Sequence, residues 1–166
     1  MAKTVLIIWD SLTGGSLALA TAASAGAEHA QADGVTTQLL HAPDANSEMM
    51  LSASGYLFVF PENLAAISGV MKAFFDRCYY PCLGRVAGRA YGVIICAGSD
   101  GNNAVRQVER IAAGWRLNKF MDSHIVCTHA QTPEAILAAK IIDGADLQRA
   151  HNAGAALAAG LAMGIF

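Results

Sequence analysis

Short apolar runs alternate along the chain with segments of helical period, and the alternation holds from the first residues to the last. Val5–Trp9, Thr36–His41, Tyr56–Phe60, Tyr91–Cys96 and His124–Cys127 are rich in β-branched or aromatic residues and bounded by small or polar ones, which predicts five strands. Helices are predicted over Gly15–Ala32, Asn46–Ala53, Ser68–Tyr80 (with Val70, Phe74 and Phe75 on one face), Ala104–Asn118, Pro133–Ile142 and Ala145–Met163. Asp143-Gly144 separates the last two.

Strands that are apolar along their whole length are covered on both faces, so five βα units imply an α/β three-layer sandwich around a parallel sheet with right-handed crossovers. The expected strand order is 2-1-3-4-5, with the switch point between the first and third strands. That order gathers the loops after strands one, three and four at one edge. The expectation is a single domain over residues 1–166, long enough to bury roughly 68–70% of the surface its unfolded chain exposes.

The first of these loops, Ser11-Leu12-Thr13-Gly14-Gly15-Ser16, suits a phosphate. Two glycines let a ligand approach the backbone, the helix amino terminus presents unpaired N–H groups, and three hydroxyls add donors. It contains no lysine or arginine, and neither the G-x-x-x-x-G-K-[ST] nor the G-x-G-x-x-G pattern occurs, which favours a terminal monophosphate held by neutral donors. A plain helix start capped by serine and threonine is the competing reading.

Composition narrows the partners. A hydrophobic fraction of 54%, a charged fraction of 14% and a net charge of −2 leave no basic stripe for nucleic acid. No run approaches the ~20 apolar residues of a membrane helix, and a strand follows directly on Met-Ala-Lys, so a cytoplasmic location is expected. Cys78, Cys82, Cys96 and Cys127 lack C-x-x-C spacing and read as reduced thiols, with no metal site expected.

The segment P-E-N-L-A-A-I-S-G-V-M-K-A-F-F-D-R, from Pro61, is similar to the third-strand segment of flavodoxin-like NAD(P)H-dependent FMN and quinone reductases. S-L-T-G-G-S resembles the phosphate loop of flavodoxin-like proteins, and G-R-V-A-G-R-A-Y-G-V-I-I-C-A-G-S-D-G resembles that family's fourth-strand segment. The resemblance implies a flavodoxin-like fold and FMN as cofactor, with NADPH or NADH as donor and a quinone or free flavin as acceptor. It implies that Ser11, Leu12, Thr13, Gly14, Gly15 and Ser16 hold the phosphate. Pro61, Glu62, Asn63 and Leu64 would line the ring, and Ala97, Gly98, Ser99, Asp100 and Gly101 would approach its pyrimidine side. No side chain would be catalytic in its own right, since the chemistry belongs to the flavin.

Two other classes stay open: a one-electron carrier of the flavodoxin type and a non-catalytic flavin-binding module. A carrier is usually strongly acidic, and this chain is nearly neutral. Neither Leu64 nor the Asp100 loop offers an aromatic cover for the ring, which leaves FMN as substrate or prosthetic group.

The remaining residues have plainer roles. Glu62 reads as a solvated loop residue, His129 as a surface or capping histidine, and Trp9 and Trp115 as core or interface. The alanines of Gly15–Ala32 read as a close-packing helix face. Ala153–Met163, almost without polar residues, is either covered within the monomer or part of a homo-oligomer interface, and a dimer or tetramer is expected. A loop without glycine between Pro61 and Ala66 is expected to avoid positive φ, and so to favour two-electron chemistry.

Overall fold

The computed structural model describes residues 2–166. Its strands are β1 (Lys3–Trp9), β2 (Val35–His41), β3 (Gly55–Asn63), β4 (Ala66–Ile67), β5 (Ala90–Ala97), β6 (Asn118–Lys119) and β7 (His124–Cys127). The helices are α1 (Gly15–His29), α2 (Ser47–Ser52), α3 (Gly69–Cys82), α4 (Asn102–Gly114), α5 (Pro133–Leu137) and α6 (Gly144–Met163), with a short 3-10 turn at Ala42–Asp44. The order across the sheet is β2-β1-β3-β5, and β6 and β7 both pair with the far edge of β5. All these pairings are parallel. The expected fourth strand is β5 and the expected fifth is β7, so the order agrees.

The two-residue period of the strands divides the core into two layers. Leu6, Ile8, Tyr56, Phe58, Phe60, Val93 and Ile95 face α2, α3 and α4, where Phe74, Phe75 and Trp115 join them. Val5, Ile7, Leu57, Val59 and Ile94 face α1 and α6. Trp115 is thus core, as the sequence suggests, and its indole N–H donates to Tyr79 O at 2.9 Å.

α1 and α6 meet backbone to backbone. A Cβ on Gly154 would lie 1.8 Å from Ala23 O, and a Cβ on Gly26 would lie 1.9 Å from His151 O. The alanine-rich face of α1 is therefore a packing face. Ala153, Gly154, Leu157, Ala158, Gly160 and Leu161 are buried, with Gly154 against α1, Leu157 and Leu161 beside Gly55, and Gly160 under the Phe166 ring, so that side of α6 is covered within one chain.

Several boundaries differ from expectation. α1 stops at His29 rather than Ala32, and α4 stops at Gly114 rather than Asn118, because Arg116 turns to φ +60° and Asn118–Lys119 joins the sheet beside Ala90–Tyr91. In α3 the buried face is Met71, Phe74, Phe75, Cys78 and Cys82, while Val70 is exposed. Val70 is four residues before Phe74, but it sits in the first turn, ahead of the sheet edge. The helix expected over Pro133–Ile142 is five residues long: Pro133–Leu137 buries nothing, and residues 138–143 leave the helix.

His124 begins β7, 3% exposed, with its Nε2 3.0 Å from Asp146 Oδ1 at the start of α6. Burial lowers its pKa below the ordinary value, and Asp146 offsets this only in part. The unfolded chain then binds a proton at higher pH than the native one, so stability is complete above the ordinary histidine pKa and falls as pH drops toward the native value. Urea midpoints at pH 7.5 and 5.5 should show a larger drop for the native protein than for His124→Gln. Equal drops would remove His124 as the cause.

Candidate functional site

The loop after β1 is shaped by its own residues. Gly14, at φ +91°, is the cap of α1, and its N–H donates to the Ser11 hydroxyl at 3.0 Å. The first N–H groups of α1 have no intrahelical acceptor and face the loop with the positive end of the helix dipole. Ser16 is 1% exposed, and its Oγ is buried without a hydrogen-bond partner. It lies beside the Cys96 thiol, near enough to affect that thiol's acidity but outside hydrogen-bond geometry. An unpartnered buried hydroxyl at a helix amino terminus is free to donate to an anion.

Asp10, just before this loop, is 7% exposed and fixes its base. The Ser68 hydroxyl donates to Asp10 Oδ2 at 2.6 Å, and His41 Nε2 stands 3.5 Å from Oδ1. Trp9 stacks on His41 with ring centroids 4.5 Å apart, so it braces β1 against β2 and does not line the trough described below.

The second loop is a hairpin. β3 runs on through Pro61 and Glu62 to Asn63, and pairs antiparallel with β4 through Glu62–Ile67 and Asn63–Ala66. The two residues between, Leu64 and Ala65, take φ +51° and +60°. The expectation that a glycine-free loop would avoid positive φ is therefore corrected, and this loop gives no argument for two-electron chemistry. A two-residue hairpin connection demands left-handed backbone whatever its residues, and the Asn103 side chain donates to Ala65 O at 2.6 Å to hold it. Glu62 is also corrected: it belongs to the strand, and its Oε2 is buried without a partner.

That turn stores strain, because left-handed backbone costs a residue with a side chain about 1–2 kcal/mol. Leu64→Asn combined with Ala65→Gly should raise stability by about 1 kcal/mol, read as a higher urea midpoint at unchanged m. An unchanged or lower midpoint would mean the turn is not strained.

The third loop follows β5. Gly98 is half-buried and Ser99 exposed, whereas Gly101, at φ +88°, caps α4, and Asp100 accepts a hydrogen bond from the Asn102 amide. A Cβ on Gly101 would lie 2.8 Å from Ile125 Cγ2, so this glycine is required by packing.

These loops enclose a trough. Leu12, Thr13, Pro61, Glu62, Asn63, Cys96, Ala97 and Gly98 line a cavity of about 80 Å³ together with Thr128, Ala130, Ile136 and Lys140. Glu62, Asn63, Gly98, Ala130 and Ile136 also line an adjoining cavity of about 370 Å³, with Leu64, Ala65 and Ser99. The larger one falls within the usual size range of ligand pockets. No aromatic side chain lines either cavity. Burial pushes the Cys96 thiol up to about 11, so the floor of the trough is a neutral thiol.

Most of the expected residues converge here, but Asp100 and Gly101 shape the start of α4 and do not line the trough. Ser11, Gly14, Gly15 and Ser16 belong to the loop after β1 beside it and line neither cavity. The wall from residues 128–140 was not anticipated. His129 is exposed, at φ +56°, and lines neither cavity. Among the described residues no group of three or more histidines, cysteines or acidic residues could hold a metal ion. No helix of the structure is long and apolar enough to cross a membrane among those same residues.

Comparison with known proteins decides the family. Residues 41–132, which include the hairpin, α3 and the β5 loop, match the family model described as NADPH-dependent FMN reductase. The chain belongs to that family. Among curated proteins it is 35% identical over 96 residues to a flavodoxin of Aquifex aeolicus (strain VF5), a match covering 58% of this chain and 49% of the relative. The chain therefore spans about half the length of that relative.

Solved structures agree on the fold. A flavodoxin, WrbA-like protein from Agrobacterium tumefaciens superposes with a TM-score of 0.70 at 16% identity, covering 99% of each chain. The Flv1 flavodiiron core from Synechocystis sp. PCC6803 gives 0.77 at 20% identity, covering 98% of this chain and 37% of that one. At these identities the likeness establishes a flavodoxin-like fold and nothing further.

Proposed function

We propose that this member of the NADPH-dependent FMN reductase family binds FMN in the trough and passes electrons from NADPH or NADH to a quinone or free flavin acceptor. The observation that carries the reading is the convergence of a phosphate loop, with its buried unpartnered Ser16 hydroxyl, on a trough walled by the β3 hairpin and the β5 loop.

FMN, when bound, supplies the capacity to accept and release a hydride. The chain supplies position. Ser11, Thr13, Ser16 and the N–H groups of α1 would hold the phosphate. The paired hairpin keeps Pro61–Leu64 fixed on one side, and Ala97, Gly98 and Ser99 form the other. Glu62 and the neutral Cys96 thiol line the trough without a role as nucleophile. Initial rates of NADPH or NADH oxidation, measured with a quinone or free FMN as acceptor, should depend on both the protein and FMN. No protein-dependent rate with either nucleotide would count against the reductase reading.

A flavodoxin among the relatives favours a second reading, the one-electron carrier. Such a protein would be reduced by a partner protein and not by nicotinamide.

Large aliphatic side chains stand exposed around the trough: Leu12, Leu64 (102% exposed), Ile136, Leu137 and Ile141 (96%). They support a homo-oligomer in which a second copy covers the ring that no aromatic side chain of this chain covers. Sizing should then give a dimer or tetramer that loses FMN on dilution, and a monomer retaining FMN at nanomolar concentration would contradict it.

A further inference from the structure

The phosphate loop has no basic residue of its own, but the fold brings one to it. The Lys140 backbone N–H donates to Thr13 O at 2.9 Å, and Lys140 Cβ lies 3.3 Å from where a Cβ on Gly15 would stand. Its ammonium donates to Ala135 O at 2.8 Å, Ile136 O at 2.8 Å and Ala138 O at 2.6 Å, gathering the carbonyls at the end of α5. Those partners are neutral, solvent-exposed dipoles. The helix α5 buries no residue, and the clasp and the Thr13 contact tie its carboxyl end to the loop after β1. Lys140 also lines the smaller cavity, and its charge acts to lower the pKa of the Cys96 thiol on the cavity floor against the larger effect of burial, which places the ammonium in electrostatic reach of the site.

We propose that Lys140 is the cation of the phosphate site, its ammonium leaving the α5 carbonyls for a bound phosphate and thereby releasing α5. The exchange trades hydrogen bonds from the ammonium to neutral, solvent-exposed carbonyls for a charge-assisted bond and Coulomb attraction to an anion, and a lysine carries its charge on a flexible four-carbon stem. The unpartnered Ser16 hydroxyl marks the place the anion would take, beside the loop on which Lys140 is anchored. Occupancy of the phosphate end then alters the mobility of the helix that carries Ile136, a wall of the ring end. The inference rests on the FMN reading and adds to it a discriminating residue and a coupling.

The test is the ratio of FMN to riboflavin affinity, measured by fluorescence quenching for the native protein, Lys140→Met and Lys140→Arg. Lys140→Met should weaken FMN by about tenfold and leave riboflavin unchanged, as expected for one charged hydrogen bond, and Lys140→Arg should restore most of the loss. A loss shared equally by both flavins would make the lysine only a clasp for α5 and overturn the proposal, as would an unchanged ratio. The coupling has its own readout in the rate of cleavage after Glu134 by a glutamate-specific protease. Inorganic phosphate should speed this cleavage in the native protein and not in Lys140→Met, and no effect of phosphate on the native protein would overturn the coupling. Native protein that binds neither flavin would refute the FMN reading itself, and the phosphate-dependent cleavage would still decide the role of Lys140.

Discussion

Gly154→Ala is expected to destabilise the protein by about 3 kcal/mol or more, and Gly26→Ala by a similar amount. The added methyl on Gly154 would lie 1.8 Å from Ala23 O and 2.7 Å from Ala23 C, and the one on Gly26 would lie 1.9 Å from His151 O. The obstacle in each case is helix backbone, which cannot rotate aside as a side chain can. The helices must separate by more than an ångström, and Ala20, Ala23, Ala27, Ala150 and Leu157, all buried at or near that seam, lose contact. Against a total stability of about 5–15 kcal/mol for a domain this is a large fraction. Urea unfolding should show a much lower midpoint at unchanged m. A shift under about 1 kcal/mol would mean that α1 and α6 do not pack as closely as described.

The second large effect is on binding. FMN should bind at least about 100-fold more tightly than riboflavin, a difference of about 2.7 kcal/mol, because riboflavin leaves the end of α1 without an anion. Ser16→Ala and Thr13→Ala should each remove on the order of 1 kcal/mol or more of FMN affinity while leaving riboflavin little changed. Ser16 is the sharper probe: its hydroxyl has no partner within the protein, so its loss costs nothing when the site is empty. Equal affinity for the two flavins, by fluorescence quenching, would remove the phosphate-loop assignment.

The sheet was legible because its signal is local. Val5–Trp9, Tyr56–Phe60 and Tyr91–Cys96 are apolar in every position, and only a strand covered on both faces tolerates that. The place of the glycine loop at the start of α1 was legible for the same reason, since its residues are consecutive. The hairpin was not, because Leu64-Ala65 carries none of the Asn or Gly that usually marks a two-residue connection, and its conformation is imposed by the pairing of residues 62–63 with 66–67. The helix expected over Pro133–Ile142 is longer than the real α5. The real helix ends where the Lys140 ammonium gathers its last carbonyls and the chain turns down onto the loop after β1, a contact between residues 13 and 140 that no local pattern encodes. The alanines of α1 announced a close-packing face, but only the fold shows Gly26 and Gly154 answering each other across one seam with α6.

The central claim is that nicotinamide reduces a flavin held in this trough. Anaerobic mixing of FMN-loaded protein with NADPH or NADH, followed by its visible spectrum, tests it most directly. Bleaching of the flavin absorbance in one two-electron step, with colour returning on addition of a quinone or excess free FMN, is the predicted result. Protein that holds FMN yet stays yellow with both nucleotides, and takes up electrons one at a time from a chemical reductant, would contradict the reductase account and establish the carrier in its place.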